Sequence, residues 1–459
     1  MLTAARPLQS INPATGAVIE EFTPTAPAEV DTILAAVAAA QQRGRAASFA
    51  QRRAWMRGVA GQLRRHAERF AASMTAEMGK PVTDARAEIE KCAVTCEYYA
   101  DHAERFLADE PAPSDSPHSF VAYEPLGIVL AVMPWNYPFW QVVRFAAPAL
   151  MAGNAAVLKH ASCVSRCALQ LEEVFLAGGF PQDTFRTLLV PAAGVAQIIA
   201  DPRVRAVTLT GSDVTGSQVA AVAGQHLKKT VLELGGSDAF IVLADADLEA
   251  AVRVGVRARF QNAGQSCIAA KRFLLVESVA DEFEARFAAA ARELIVGDPT
   301  DPETQMGPLA RADLRDDLHQ QVTASVAQGA RVLAGGHPLD GPGSFYAPTV
   351  LAGVTPQMPA FREETFGPVA ALTRVPDAAA AVALANDSAF GLGGNLWTAD
   401  LEQGVALARQ MDTGGVFING MTHSDARIPF GGVKRSGYGR ELSHFGIREF
   451  VNIQTIWLP

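Results

Sequence analysis

Residues 204–236 read VRAVTLTGSDVTGSQVAAVAGQHLKKTVLELGG, and this stretch decides the fold class. It begins with an apolar run, VRAVTLT, which has the composition of a buried strand. A turn of Thr210, Gly211 and Ser212 follows and precedes a helix that contains Gly216. A second apolar run, TVLEL, starts at residue 230. A strand, a helix and another strand in this order predict a parallel pair of strands with a right-handed crossover.

The same alternation extends in both directions along the chain. Further apolar runs begin at residues 127 (GIVLAV), 155 (AAVLK), 185 (FRTLLV) and 239 (AFIVLA). After the segment FQNAGQSC a second set of strands begins at residues 273 (FLLVE), 330 (ARVLAGG), 368 (PVAALTRV) and 415 (GVFIN). The pattern therefore predicts an α/β protein with two α/β domains and a boundary near residue 236.

Two helices are expected before the first of these strands. Apolar residues recur at helical spacing from Trp55 to Met78, and Gly79 followed by Pro81 is typical of a helix stop. A second helix runs on through Phe106, and the Pro- and Ser-rich stretch PAPSDSPHS interrupts the pattern.

Composition excludes several classes of protein. The 459 residues are 49% hydrophobic and 19% charged, with a formal charge of −9, which excludes disordered, collagen-like and coiled-coil proteins. An acidic chain without blocks of Lys and Arg argues against a nucleic acid or an anionic membrane as partner. We find no signal peptide and no apolar run long enough to span a membrane, and five cysteines do not suggest a disulfide framework. A cytoplasmic protein is expected.

Two residues are candidates for covalent chemistry. Cys267 follows Gly264, Gln265 and Ser266, a small and flexible setting for a nucleophile, although a lone cysteine is more often buried packing. Glu233 is a carboxylate in the apolar strand that ends in Gly235 and Gly236. It is either a base with a raised pKa or a buried ion-pair partner.

Three further segments have a structural and a functional interpretation. Pro134 and Pro138 bracket Asn136 in PWNYP after a strand, so the Asn amide is either an oxyanion donor or part of a stiff turn. Ser212 precedes a helix and either binds a phosphate or simply caps that helix. Arg144 lies in the helical segment after PWNYP, and an arginine in a helix usually lies on the solvent-exposed face.

No metal site is expected. The two C-x3-C pairs have the spacing of one helix face, so packing is favoured over a zinc site, and no histidine lies in a zinc motif. The pairs are Cys92 with Cys96 and Cys163 with Cys167.

Taken together, the segments resemble the aldehyde dehydrogenase superfamily from end to end. The motifs that carry this resemblance are INPATG at residue 11, PWNYP, LKHAS, LTGS, LELGGSDAFIVLADADL, FQNAGQSC, FREETFGPV, GVFING and PFGGVKRSGYGRE. Within the superfamily, LKHAS, FQNAGQ, SDARIPFGG and RELSHFG are similar to the short bacterial succinate-semialdehyde dehydrogenases.

The resemblance implies a mechanism. Cys267 would attack the aldehyde, and Asn136 together with the backbone N–H of Cys267 would hold the resulting oxyanion. Glu233 would activate the water that hydrolyses the thioester. Relatives that pass the acyl group to coenzyme A generally lack this glutamate, so its presence implies release of a free acid.

The resemblance also implies which residues bind the cofactor, NAD or NADP. Lys159 would bind the adenosine ribose, Gly211 and Ser212 the pyrophosphate, and Glu364 with Phe366 the nicotinamide ribose and ring, with Trp135 lining the same region. Ser162 stands where NAD-preferring members often carry Glu. Without a carboxylate to repel a 2′-phosphate, NADP should be tolerated.

For the substrate, the resemblance implies succinate semialdehyde. Arg144 stands where succinate-semialdehyde dehydrogenases carry an arginine, which would bind a distal carboxylate, and Ser424 would add a hydroxyl. Gln261 replaces an arginine found in some members of that group. Alternatives are another small carboxylated aldehyde such as glutarate semialdehyde, an aliphatic aldehyde, or a non-catalytic member of the fold.

Finally, the resemblance implies three domains. Residues 1–104 and 125–235 would form a Rossmann-type cofactor domain, residues 236–428 an α/β catalytic domain, and residues 105–124 with 440–459 a small bridging β-sheet. The C-terminal REFVNIQTIWLP reads independently as an exposed apolar strand that needs a partner. Pairing across a subunit interface would cover its edge in a homodimer or homotetramer.

Overall fold

The computed structural model describes residues 7–116 and 118–459, and two mainly parallel sheets organise them. The first sheet has six strands, and only its short first strand is antiparallel to its neighbour. In spatial order they are Gly437–Tyr438, Lys229–Glu233, Val204–Thr210, Ile128–Met133, Ala155–His160 and Phe185–Thr187. The strand pair predicted from residues 204–236 therefore lies inside this sheet, and its two strands are parallel neighbours.

The second sheet has seven strands and is parallel except at one edge. In spatial order they are Arg331–Ala334, Thr349–Ala352, Val369–Val375, Ala270–Val276, Asp238–Val242, Gly394–Trp397 and Val416–Ile418. The α/β class predicted from the sequence is confirmed. Two strands of this sheet, Thr349–Ala352 and Gly394–Trp397, were not predicted.

Three small sheets complete the β-structure. Two of them pair Leu8–Ile11 with Val18–Phe22 and Phe390–Gly391 with Val433–Lys434. The third has the order Val451–Ile456, Phe120–Pro125, Glu110–Pro111. The C-terminal strand thus has a partner within its own chain, and its other edge stays unpaired among the described residues. The assignment of separate cofactor, catalytic and bridging domains stays a prediction.

Helices cover both faces of the first sheet and surround the second. They span Pro27–Ala46, Phe49–Arg65, Ala67–Met78, Val82–Phe106, Trp140–Met151, Ser165–Ala177, Val195–Ala200, Asp213–Gln225, Leu248–Phe260, Glu277–Arg292, Ala312–Ala327, Pro359–Arg362, Ala378–Asn386, Leu401–Ala408 and Ser443–Arg448. None of the helices in the described ranges has both the length and the apolar composition needed to cross a membrane.

The apolar pattern from Trp55 to Met78 is divided between two helices. His66 ends the first helix and begins the second, with φ −113° and ψ 20°, so the hydrophobic period continues across a break that the sequence did not reveal. Gly79 ends the second helix with φ 78°, in the left-handed conformation expected of a glycine stop.

Alternation along the strands builds two cores on opposite faces of the first sheet. Val129 and Ala131 pack with the helices between Phe49 and Phe106. Ile128 and Leu130 pack on the other face, together with the first helix, Pro27–Ala46. Cys92 and Cys96 lie in one helix, as predicted, and are buried with Cys167 in the first of these cores. The prediction is wrong for the second pair, because Cys163 lies in the turn before the helix Ser165–Ala177. Among the residues described, no three His, Cys, Asp or Glu side chains converge as metal ligands.

Candidate active site

A cavity of about 430 Å³ is lined by residues that lie far apart in the sequence. Cys267, Arg144, Gln261 and Ser424, four of the residues predicted from the sequence, lie on its wall. The lining does not include Asn136, Glu233 or the candidate cofactor residues. The structure therefore brings the candidate nucleophile together with all three candidate substrate residues.

Cys267 follows a turn with unusual backbone geometry. Asn262, Ala263 and Gly264 have φ values of 55°, 54° and 70°, the left-handed region, where a residue with a Cβ is strained. The buried Lys271 holds the next part of the loop, because its ammonium donates to the carbonyls of Ser266 and Cys267 at 2.9 Å each. This ammonium fixes the position of the candidate nucleophile.

Burial of Cys267 favours the protonated thiol over the thiolate. Burial raises the pKa of the Cys267 thiol to about 12, although the positive charges of Arg144 and Lys271 act in the opposite direction. Because the thiolate is the reactive form, the thiol needs a base when it attacks a carbonyl.

The PWNYP turn is held by groups that the sequence did not single out. Glu88 accepts hydrogen bonds from the N–H groups of Phe139 and Trp140 at 2.9 Å each, where the helix Trp140–Met151 begins. Its charge is balanced by a buried ion pair with Lys80. His160 braces the other side, with its Nε2 2.9 Å from the carbonyl oxygen of Pro138.

Asn136 is thereby directed at the cysteine loop. Its Nδ2 donates to the carbonyl of Gln265 at 3.0 Å, and its Oδ1 accepts from Gln141 at 3.0 Å. The side chain of Asn262 donates to the Asn136 carbonyl at 3.0 Å and ties the turn to the strained loop. Both interpretations of PWNYP are compatible with this geometry, since the turn is stiff and the amide binds the carbonyl of Gln265, two residues before Cys267 in the sequence.

Glu233 ends its strand as a buried carboxylate, and neither of its oxygens has a hydrogen-bond partner among the described residues. Burial raises its pKa well above the usual range, the charge of Glu441 raises it further, and Arg144 counteracts both. A Cβ at Gly431 would lie 2.7 Å from the Glu233 carboxylate, so the glycine of the PFGG motif leaves room for it. The charge of Glu233 also raises the pKa of Cys267, so the two groups lie within electrostatic reach of each other.

The candidate cofactor residues line the edge of the first sheet and the facing loop. Lys159 is a buried cation whose pKa is lowered by burial, and no carboxylate in the described chain pairs with it. Ser212 caps the helix Asp213–Gln225 by accepting from Thr215 N–H at 3.2 Å, and the preceding Gly211 donates to the Glu233 carbonyl at 3.1 Å. This helix start is a suitable place for a pyrophosphate.

Glu364 and two aromatic rings occupy the opposite side. The Glu364 carboxylate accepts from Gly236 N–H at 2.9 Å and lies 3.5 Å from the ammonium of Lys271. Trp135 and Phe366 meet edge to face with ring centroids 5.8 Å apart. Ser162 lies in a short turn after Lys159, so this position carries a neutral hydroxyl instead of a carboxylate. A cationic group, a helix start, an acceptor for ribose hydroxyls and an aromatic pair fit a nicotinamide dinucleotide.

The candidate substrate residues have a less expected environment. Arg144 forms a buried ion pair with Glu441, donates to Thr210 Oγ1 at 3.3 Å and lies 4.7 Å from the Phe430 ring centroid. Ser424 accepts a hydrogen bond of 2.8 Å from Lys91. The structure thus places Arg144 on the cavity wall but with a carboxylate partner already in place.

Lys91 was missed in the sequence, although a signal for it existed. Asp84, Glu88 and Lys91 recur at positions i, i+4 and i+7 of the helix Val82–Phe106, and all three line the cavity. A stripe of charges on an otherwise buried helix indicates a polar cavity rather than solvent.

Comparison with known proteins agrees with this description of a two-sheet α/β protein that has a cysteine in a cleft. A model of the aldehyde dehydrogenase family matches residues 2–456, and the chain belongs to this family. The chain is therefore an aldehyde dehydrogenase by family.

Relatives within the family are similar over almost their whole length. The succinate-semialdehyde dehydrogenase (NADP(+)) of Mycobacterium avium is 52% identical over 459 residues, which cover 98% of this chain and 97% of the relative. A protein of Mycobacterium tuberculosis named succinate-semialdehyde dehydrogenase (NADP(+)) 1 is 52% identical over 458 residues, 98% of this chain and all of its own. The crystal structure of succinic semialdehyde dehydrogenase from Streptococcus pyogenes in complex with NADP+ matches with a TM-score of 0.96 and 39% identity, over 98% of this chain and 100% of that one.

Proposed function

We propose that this protein oxidises succinate semialdehyde to succinate and uses NADP+ or NAD+ as the hydride acceptor. The observation that carries the proposal is a single cavity in which Cys267 lies with three cationic side chains, Lys91, Arg144 and Arg257. A positively charged end suits an aldehyde that ends in a carboxylate. The similarity to proteins named succinate-semialdehyde dehydrogenase (NADP(+)) supports the same substrate.

Cys267 is the nucleophile of the proposed reaction. Its sulfur forms a bond to the aldehyde carbon, the thiol proton leaves to a base, and the carbonyl oxygen becomes the oxyanion of a thiohemiacetal. Asn136 Nδ2 and the Cys267 N–H donate hydrogen bonds to this oxyanion. The Asn136 amide gives up its bond to the Gln265 carbonyl in exchange, a change that keeps the amide satisfied.

Glu233 is the base for the second half of the reaction. Loss of hydride leaves a thioester on Cys267, and a water molecule must be deprotonated to hydrolyse it. A carboxylate with a raised pKa accepts a proton from water more readily than an ordinary one, and burial gives Glu233 this property. Its carboxylate then returns the proton as Cys267 leaves as the thiol and the free acid departs.

The residues that would hold the cofactor are those that the family resemblance implies, and their chemistry suits this role. Lys159 and Ser162 would bind the adenosine ribose, the helix start at Ser212 would hold the pyrophosphate, and Glu364 would accept hydrogen bonds from the nicotinamide ribose. When bound, the nicotinamide ring supplies the site that accepts hydride. Ser162 offers no negative charge to a 2′-phosphate, which supports use of NADP+.

A second candidate function is the oxidation of an uncharged aliphatic aldehyde. The pairing of Arg144 with Glu441 and the aromatic rings of Trp140 and Phe430 on the cavity wall favour it. It differs from the first candidate only in the group at the distal end of the substrate.

The experiment that tests the proposal is formation of reduced nicotinamide by the purified protein. Succinate semialdehyde, butanal and benzaldehyde are each supplied with NADP+ and with NAD+, and Cys267→Ala is the control. We expect kcat/KM for succinate semialdehyde to exceed that for butanal at least tenfold and free succinate to be the product. Equal values would support the second candidate, and no turnover that depends on Cys267 would indicate a non-catalytic member.

We also infer that the protein is a cytoplasmic homodimer or homotetramer. The C-terminal strand Val451–Ile456 lies at the edge of its sheet, and the side chains of Ile453 and Trp457 are more than half exposed, at 65% and 56%. An apolar edge of this kind is suited to pairing with a second copy. The five free cysteines suit a reducing compartment. Light scattering after size-exclusion chromatography measures the oligomeric state, and a monomer would contradict the inference.

A further inference from the structure

Lys91 lies at the cavity wall in an environment built for a charged ligand. It extends from the helix Val82–Phe106, and its ammonium donates to Ser424 Oγ at 2.8 Å and lies 4.0 Å from the centroid of the Trp140 ring. An aromatic face and a hydroxyl orient the ammonium without neutralising it.

The ammonium of Lys91 has no anionic partner. Within residues 7–116 and 118–459 no carboxylate forms an ion pair with it, whereas the neighbouring cations Arg144 and Lys80 pair with Glu441 and Glu88. Removing an unpaired cation from water is unfavourable, so such a group is retained where a ligand supplies the counter-ion.

We propose that Lys91, together with Ser424, binds the distal carboxylate of the aldehyde substrate, while Arg144 remains paired with Glu441 and acts on the charge of Glu233. This inference rests on the proposed function, because it requires a substrate that carries a carboxylate. Lys91 would then determine the substrate specificity of the site, although neither the motifs nor the family resemblance indicated this residue.

The hydrogen bond between Lys91 and Ser424 leaves the right donors for a carboxylate. Since Ser424 Oγ accepts from the ammonium, its own hydrogen is free to donate to a second acceptor. The ammonium has two further hydrogens. One carboxylate can therefore receive a charge-assisted bond from Lys91 and an ordinary bond from Ser424.

The charges around Lys91 favour binding of an anion. Burial and, to a smaller extent, the positive charge of Arg144 lower the pKa of the Lys91 ammonium to about 8, against opposing effects of Cys92, Glu88 and Asp425. A bound carboxylate relieves the repulsion between Lys91 and Arg144. Binding therefore favours the protonated lysine, and KM for succinate semialdehyde should rise as the pH exceeds about 8.

The test compares Lys91→Met, which removes the charge and keeps the chain length, with Lys91→Arg, which keeps the charge. Kinetics are measured with succinate semialdehyde and with butanal, which has the same carbon chain without the carboxylate. We expect Lys91→Met to raise KM for succinate semialdehyde roughly 30-fold, the loss of one charge-assisted hydrogen bond, and to leave butanal within about threefold. Lys91→Arg should recover most of the loss and move the rise in KM to higher pH.

Arg144→Gln and Arg257→Met test the two other cations on the cavity wall. Arg144→Gln should reduce kcat with both aldehydes, because its effect passes through Glu441 and Glu233. The assignment to Lys91 would be overturned if kcat/KM in Arg144→Gln or Arg257→Met fell only with succinate semialdehyde. It would also be overturned if kcat/KM in Lys91→Met fell equally with both aldehydes. If the unaltered enzyme itself shows no preference for succinate semialdehyde, the proposed function fails instead.

A measurement without turnover gives an independent answer. Succinate, the proposed product, should raise the melting temperature of the unaltered protein and of Lys91→Arg, but not that of Lys91→Met. A succinate-induced shift of equal size in Lys91→Met would contradict the proposal, and comparison of the unliganded melting temperatures reports whether the variant folds.

Discussion

Arg144 and Glu441 form an ion pair in which the two side chains are only 3% and 4% exposed. The pair connects the helix after the PWNYP turn to the C-terminal part of the chain, where Phe430 and Glu441 exchange backbone hydrogen bonds of 2.8 and 2.7 Å. Both charges act on Glu233, in opposite directions. The pair therefore has a structural role and an electrostatic role at the candidate base.

The structural role of this ion pair is tested by the stability of the variant Glu441→Gln. The substitution leaves the Arg144 guanidinium buried without its partner, and we expect a loss of about 3 kcal/mol in the free energy of unfolding. Urea denaturation measures this loss. A variant as stable as the unaltered protein would show that Arg144 finds another partner.

The same substitution should change the pH dependence of turnover. Glu441 raises the pKa of Glu233 and Arg144 lowers it, so the acid limb of the kcat profile should move to lower pH in Glu441→Gln and to higher pH in Arg144→Gln. Shifts in the same direction would contradict the assignment of Glu233 as the base.

Alkylation measures the state of the Cys267 thiol directly. Because burial raises the pKa of this thiol to about 12, the thiolate is a very minor form at pH 7. We expect the rate of iodoacetamide alkylation of the cofactor-free protein to increase about tenfold per pH unit between pH 7 and 10. Cys267→Ser is the control, since Cys163 is the other half-buried thiol. A plateau below pH 9 would indicate a stabilised thiolate.

The fold was predictable because its strands are short apolar runs between helices with a clear period. The two missed strands of the second sheet are four residues each, and glycines flank the strand Gly394–Trp397 on its N-terminal side. Propensity gives little signal over such lengths, and these strands form because neighbouring strands complete their hydrogen bonds.

Candidate site residues could be proposed from the sequence only where they lie in local motifs. Cys267 and Asn136 stand in short segments whose glycines and prolines indicate their geometry. The partners of the two cations, the Glu441 carboxylate for Arg144 and the Ser424 hydroxyl for Lys91, come from distant parts of the chain. No local pattern reports such pairings, because they depend on how the C-terminal segment returns to the first sheet.

Gly236 tests how closely the cysteine loop is packed. A Cβ at this position would lie 2.5 Å from the carbonyl oxygen of Cys267, too close for either backbone to remain in place. We expect Gly236→Ala to reduce kcat/KM roughly 100-fold, because a displacement of about 1 Å at a nucleophile has effects of this size. Gly224→Ala is the matched control, since nothing lies within 4 Å of its Cβ. That variant should keep full activity and gain about 0.5–1 kcal/mol in stability. Equal activity in both variants would contradict the close approach of Gly236 to the cysteine loop.

His160 should make the stability of the protein dependent on pH in the acidic range. Its ring is buried between the carbonyls of Met133 and Pro138, and burial lowers its pKa from 6.5 to about 4. Between these two values the unfolded chain binds a proton that the folded protein does not, so stability falls as the pH decreases from about 6.5 to about 4. The full effect is about 3 kcal/mol.

Urea unfolding of His160→Gln at pH 7.5, 6.5, 5.5 and 4.5 measures this contribution. The variant should be less stable than the unaltered protein at pH 7.5, where it lacks the bond to Pro138, and should lose less stability on acidification. His337→Gln, which removes an exposed histidine, should keep the slope of the unaltered protein. If His160→Gln keeps that slope as well, buried carboxylates rather than His160 determine the response to acid.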